Sequence, residues 1–497
     1  MGRDITQEEF SDADYSRFRD RLDADLIVLS ELISKPGFGS GPATIGAELE
    51  LVIVDGACRP LPINQAVRDA VDDPRVTLEL TRFNLELNAS PLPLAGRPFA
   101  ALEAELNLLV AKVAAAAVAH GGRVTAIGIL PTIAATDLSS AMLSEGARYR
   151  VLIRALRRLR GGPLRTQLPG AEPLPLATDD VVLQGAPTSL QVHLRVEPAH
   201  FAKAFNAVQL ATAPVLAVAG NSPTFLRHRL WEETRIALFR QQTDGLGHEP
   251  RPHTRISLGS GWLRGGAADL FADSVRQHEP LLPIVTEPDE PGQPAPQPRT
   301  GLGPALEELR LHHGTVWPWN RAVYDPADEG HLRIEMRALP AGPTVIDMAA
   351  NAAFLIGLSL WLADQDEQWT YTLPFECADH NFHSAAQYGL AARLIWPAWP
   401  HGGTRILTAA DVISESLPGA RQGLLRAGVA ESEADRLLDV IGARVATGQT
   451  GAAWQRAALA AAQTPSRPPA PDEYAEMLRS YIDFATTGQP VHTWLVG

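Results

Sequence analysis

Four short stretches of the chain alternate apolar and polar residues with a period of two, the period of a β-strand whose successive side chains point to opposite faces. They are Thr44 to Leu51, Asn84 to Asn88, Ser189 to Arg195 and His331 to Arg337. Glu48 with Glu50, Gln191 with His193, and Glu335 with Arg337 each share a face, and the opposite face is aliphatic in all four. A single strand of this kind is ordinary in an antiparallel sheet with one wet side. Four together are not, because a solvated face normally mixes Lys, Thr, Ser and Arg, whereas three of these strands place Glu at matched positions. Two Glu about 6.5 to 7 Å apart on one strand repel each other. A divalent cation such as Mg2+, which takes carboxylate oxygens together with water and phosphates, relieves that repulsion.

The rest of the composition narrows the classes. The 497 residues exceed one simple core, so a large catalytic domain with appended pieces is expected. A net charge of -14 argues against nucleic acid or an anionic membrane as partner. The start Met1-Gly2-Arg3-Asp4 has no apolar signal region, and the longest apolar run, Ala349 to Ala363, is too short to span a bilayer and reads as a buried helix. Cys58 and Cys377 have no zinc or redox spacing and suit a cytoplasmic chain. Lys35, Lys112 and Lys203 are the only lysines and none sits in a Walker A loop; no GxGxxG follows a strand. A nucleotide here would have its phosphates held by metal ions and arginines.

Along the chain, Glu8 to Ile33 has helical spacing and ends at Pro36-Gly37, which gives an N-terminal helical arm over residues 1–41. Strands and helices then alternate over 42–400, with helices expected at Pro98 to His120, Glu145 to Arg160, Pro198 to Val218, Pro343 to Ala363 and His380 to Leu394. A Pro-rich insertion occupies about 286–300. Residues 401–497 read as a helical C-terminal region closing at Tyr481 to Trp494.

The ordered set of motifs resembles the glutamate-cysteine ligase family, in its carboxylate-amine ligase and plant-type branch. Ile45-Gly46-Ala47-Glu48-Leu49-Glu50-Leu51 is similar to the family's opening G-x-E-x-E strand, and Leu85 to Pro91 to its next acidic strand. Ser189 to His193 is similar to its His-bearing strand, Asn221-Ser222-Pro223 to the turn after the following helix, and Leu332 to Arg337 to its late Glu-x-Arg strand. The resemblance covers about Thr44 to Trp396 and departs from the pattern at Arg82-Phe83-Asn84.

Membership implies an α+β, glutamine-synthetase-like fold: a curved, mainly antiparallel sheet with helices on its outer face. It also implies ATP- and Mg2+-dependent activation of the γ-carboxylate of glutamate as an acyl phosphate, which an amine then attacks. Cysteine is the first candidate amine. Carried over residue by residue, the metal ligands are Glu48, Glu86 and Glu335, with Glu50 and Glu79 as further ligands. Glu79 precedes Glu86 by seven residues, an odd offset that requires a bend or bulge near Arg82-Phe83. Arg337 would hold the transferring phosphate, and His193 and Gln191 would face the nucleotide or acyl phosphate. Arg235 would bind the glutamate α-carboxylate, with a helix-surface ion pair as its alternative, and Asn221 would line the nucleotide site. The expected partners are glutamate, ATP and an amine, and homo-oligomerisation is left open. Two other classes stay in view: a weakened relative that only binds glutamate or nucleotide, and a metallohydrolase using the same acids with His193, for which no HExxH-type motif exists.

Overall fold

The computed structural model describes residues 7, 9–160, 162, 164–178, 182–243, 254–286, 301–365, 369–399, 402–462 and 469–496. The Pro-rich insertion at 287–300 lies outside them. Its centre is a sheet of eight strands: β1 (Thr44–Val54), β2 (Val76–Leu78), β3 (Asn84–Asn88), β4 (Leu92–Pro93), β5 (Arg123–Thr125), β6 (Leu190–Arg195), β7 (Asn320–Asp325) and β8 (His331–Met336). The order is β7-β8-β6-β1-β3-β2, with β4 and β5 also paired to β1, and every pairing is antiparallel. The expected α+β sheet with an acid-bearing face is therefore present.

One face of that sheet is the core. Ile45, Ala47, Leu49 and Leu51 of β1 are buried with Leu85 and Leu87, with Leu190, Val192 and Leu194, and with Leu332, Ile334 and Met336. The helices α1 (Asp12–Ile33), α2 (Pro98–Ala119), α3 (Phe201–Ala219) and α4 (Val345–Ala363) share the same core. A one-residue slip of any strand would turn its glutamates inward and its leucines out. Each such Leu or Ile contributes roughly 1.5 to 3 kcal/mol by burial, so the apolar face fixes the register that assembles the polar one. Helix α1 begins at Asp12 and not at Glu8, because Ser11 and Asp14 form a reciprocal capping box there.

Two expected helices are placed differently. The helix expected at His380 to Leu394 runs Phe375–Tyr388; Gly389, at φ 54°, turns the chain, and Arg393–Pro397 pairs as a strand with Thr404–Thr408. The last helix is Pro471–Thr486 and not Tyr481 to Trp494, since Gly488 at φ 68° and Pro490 end it. The strands Arg393–Pro397 and Thr404–Thr408, paired with each other, lie on either side of the boundary expected at 400. Helices α5 (Ala409–Arg426) and α6 (Glu431–Thr447) bury Ala420, Leu424, Leu437 and Ile441 in the same core as the sheet. The contact of α4 with α5 is backbone-close, and a side chain at Gly423 would collide with the Gly357 carbonyl. Two helical stretches, Pro198–Ala219 and Val345–Ala363, are long and apolar enough to cross a membrane, but both are mostly buried inside the molecule.

Candidate active site

The polar face of the sheet gathers the expected side chains in three cross-strand rows. Register places Glu50 opposite Glu86 and Glu86 opposite Thr77. Glu48 sits between Asn88 on one side and Gln191 on the other. In the third row Gly46 faces His193, His193 faces Glu335, and Glu335 faces Arg321. Gly46 has no side chain to fill the place beside His193, and the imidazole Nε2 lies 3.2 Å from Oε1 of Glu48 in the neighbouring row.

The odd offset of Glu79 resolves without a bulge. β2 and β3 are separate strands of a hairpin, with Thr77 opposite Glu86 and Leu78 opposite Leu85, and the chain turns through residues 79–83. Glu79 therefore reaches Glu86 from across the turn. Its main chain is pinned there: Oε2 of Glu79 accepts from Leu80 N at 2.9 Å, and Ser144 Oγ donates to the Glu79 carbonyl. At the departing positions Phe83 is buried, and Asn84 donates to Gly185 O, so both serve the turn.

The acids fall into two clusters, each with one oxygen or nitrogen per residue within 4.8 Å of the others: Glu50, Glu79 and Glu86, and Glu48, His193 and Glu335. Their electrostatics differ sharply. Glu50 accepts from Ser189 N at 2.8 Å and Ser189 Oγ at 3.0 Å, and Glu86 from Asn88 Nδ2 at 3.0 Å and Thr77 Oγ1 at 3.2 Å; all these donors are neutral. Burial, then the Glu86 charge, pushes the Glu50 carboxyl up to about 7. Burial, then Glu50, does the same to Glu79, also to about 7. Burial, then Glu48 and Glu79, drives Glu86 well above the usual carboxylate range. None of these three partly buried carboxyls is ion-paired to a cationic side chain among the described residues, and a divalent ion with oxygen ligands fits that donor set.

Glu335 stands at the other extreme. Arg321 Nε is 2.5 Å from its Oε2, and an Arg337 guanidinium nitrogen is 2.7 Å from its Oε1. Burial opposes ionisation, but Arg321, Arg337 and His193 outweigh it and hold the carboxyl well below its ordinary range. Glu48 is likewise held low, against its burial, by the His193 imidazole 3.2 Å away. The same Arg337 nitrogen also donates to Oε1 of Gln191. The arginine charge is thus fixed beside Glu48 and Gln191 at one end of the face, while the acids at the other end have no direct ion pair among the described residues.

Two expected binding residues lie elsewhere. Arg235 is fully buried; its Nε is 2.7 Å from Glu233 Oε1, and it donates to Ala338 O at 2.5 Å. Its ion pair with Glu233 is buried and does not lie on a helix surface. Asn221 is also fully buried and donates to Ala341 O at 2.7 Å and to Tyr481 Oη at 2.8 Å. Together they brace the segment after β8. Arg321 was not among the expected residues. A signal for it exists: Asp325-Pro326 to Gly330 is a turn directly before the Glu-x-Arg strand, and the resulting hairpin sets Arg321 opposite Glu335.

Residues 44–253 match the sequence profile of glutamate-cysteine ligase family 2. This is a ligase similar to the glutamate-cysteine ligases. The ligase shares its fold with the glutamate-cysteine ligase of Francisella tularensis solved in complex with AMP: 11% identity over 92% of this chain and 90% of that one, at a TM-score of 0.54. A bifunctional glutathione synthetase from Pasteurella multocida aligns at 11% identity over 95% of this chain and 55% of its own length, with a TM-score of 0.46. None of the curated proteins matches the sequence. The profile match supports an ATP-dependent carboxylate-amine ligase, and the structural likeness shows the fold.

Proposed function

We infer that the ligase phosphorylates the γ-carboxylate of glutamate with ATP and passes the γ-glutamyl group to an amine, with L-cysteine the first amine to test. The glutamate oxygen attacks the γ-phosphorus and ADP leaves. The amine nitrogen then attacks the acyl carbon, phosphate departs, and the nitrogen loses a proton as the amide forms. Such phosphoryl transfer depends on positioning and charge neutralisation more than on a protein nucleophile. The observation that carries the reading is the polarity of the sheet face, three carboxyls without an ion pair among the described residues at one end and two arginines anchored on Glu335 at the other.

Glu50, Glu79 and Glu86 would hold one Mg2+, and Glu48, with His193 and Glu335 beside it, would complete a second position. When bound, Mg2+ would neutralise phosphate charge. Arg337, pre-oriented by Glu335 and Gln191, holds a guanidinium where the transferring phosphoryl group would lie, a geometry suited to phosphate oxygens. Arg321 acts through Glu335 by fixing that carboxylate. The catalytic machinery in this reading spans about 42–400 and works in the cytoplasm, where ATP and Mg2+ are at hand. Its acceptor preference lies outside what this face encodes, since discrimination of one small group is worth only about 1 to 3 kcal/mol.

The test is one incubation with ATP, Mg2+, glutamate and a panel of cysteine, alanine, 2-aminobutyrate and simple amines, scored for ADP and for the new amide by mass spectrometry. ADP formation is expected to need glutamate and Mg2+ together. Full-rate hydrolysis without glutamate would overturn the ligase reading, and preference for a non-thiol amine would replace cysteine while keeping the mechanism.

A further inference from the structure

A cavity of about 720 Å3 opens between the hairpin containing Gln167 to Pro173, the Leu230–Glu232 segment, the end of the Phe375–Tyr388 helix and the helix Gly451–Ala462. None of the residues that line it belongs to the carboxylate face. Its walls are apolar and aromatic, with Trp231, Tyr388 and Pro169, and they carry two opposite charges, Glu232 and Arg456. The indole N–H of Trp231 is buried without a hydrogen-bond acceptor among the described residues.

The charged pair is close but poorly made. Arg456 Nε is 3.0 Å from Glu232 Oε1, yet that N–H is not directed at any acceptor among the described residues. Among the described residues the guanidinium makes one further bond, a 3.2 Å contact to Leu230 O. Both side chains are about one quarter exposed, at 27% and 25%. Such a pair gains little from itself. A ligand carrying only an anion would draw Arg456 away and strand the half-buried Glu232; one carrying only a cation would strand Arg456. A molecule carrying both charges satisfies each partner at once and leaves no buried charge unpaired.

We propose that this cavity is a second small-molecule site, separate from the sheet face, that takes a zwitterion with an apolar side chain, an α-amino acid or short peptide, its carboxylate on Arg456 and its ammonium on Glu232. The aromatic and proline walls receive the side chain. The test is isothermal titration of the full chain with L-phenylalanine and L-alanyl-L-phenylalanine, with saturating Mg2+, glutamate and a non-hydrolysable ATP analogue present throughout so that the sheet face is filled. Phenethylamine and 3-phenylpropionate serve as the single-charge controls. At least one zwitterion is expected to bind ten times or more tighter than either control. Arg456→Met and Glu232→Gln are each expected to weaken it tenfold or more, and Tyr388→Ala, at a 55% exposed wall residue that can be removed without threatening the fold, severalfold. Failure of both zwitterions to bind, binding no tighter than the controls, or binding unchanged across the variants that fold would overturn the proposal. The readout is binding and not turnover, so it stands or falls apart from the ligase reading.

Discussion

At the scale of single residues, the two ends of the sheet face should respond oppositely to loss of charge. Glu86→Gln removes a carboxyl whose ionisation is already opposed by burial and then by Glu48 and Glu79. It is expected to cut turnover by on the order of a hundredfold, the usual consequence of losing one preorganised charge, while raising the melting temperature in metal-free buffer at pH 8. Glu335→Gln is expected to cut turnover similarly but to lower the melting temperature, because Arg321 and Arg337 would lose the carboxylate that anchors them; removing one partner of a buried pair costs about 3 kcal/mol. Parallel melting curves and ADP assays of the two variants check both signs, and a raised melting point for Glu335→Gln would show that the pair is not structural. The pH dependence follows from the same groups. Glu50 and Glu79 sit at about 7 in the fold and near 4.3 when unfolded. Between those values the folded state binds more protons, so metal-free stability is complete below about pH 4.3 and is lost as pH rises through 7. Melting temperatures in EDTA are expected to fall from pH 5 to pH 8, and Mg2+ to raise them at pH 8 far more than at pH 5. A metal effect equal at both pH values would remove the acidic cluster from the metal site.

At the scale of elements, the strands that carry chemistry were legible in the sequence because a period of two is short and each strand repeats it two or three times. Glu48, Glu50, Glu86, Gln191, His193, Glu335 and Arg337 all lie on the one face that this period assigns to them. Glu79 was less legible, since a hairpin between β2 and β3 looks in sequence like a bend in one strand. The roles of Arg235 and Asn221 were hard to read for a different reason. A motif records that a polar residue is needed, not whether it faces a ligand or a backbone carbonyl, and here both face carbonyls beneath Arg337. Arg235→Met is accordingly expected to lower the melting temperature by several degrees, by leaving Glu233 buried without its cation. The KM for glutamate should stay within about twofold at a temperature where the variant is folded. A large rise in KM with unchanged stability would return Arg235 to the substrate.

At the scale of the whole molecule, the sequence suggested an appended C-terminal region from a shift to Ala- and Leu-rich helices, but composition cannot tell a helix that stands apart from one that closes a core. The helix α4 decides it. Its residues Ala349 to Leu358 are buried on nearly every side, which three layers must share: the sheet side, α3, and α5 with α6. Arg444 of α6 is 1% exposed, lies 3.2 Å from Asp347 Oδ1 and donates to Asn351 Oδ1 at 2.7 Å. Val491 N closes the other side of Asp347 with bonds of 3.0 and 3.3 Å. A chain cut after residue 400 would lose half of the Arg393–Thr408 hairpin, uncover the apolar back of α4 and leave Asp347 buried without Arg444. The uncompensated charge alone costs about 3 to 5 kcal/mol, a large part of the 5 to 15 kcal/mol by which a fold is stable. Residues 1–400 are therefore expected to give no cooperative thermal transition by circular dichroism and to be degraded by protease at a concentration that spares the full chain. A truncated protein that melts cooperatively and still releases ADP would mean that the catalytic unit folds without its C-terminal helices.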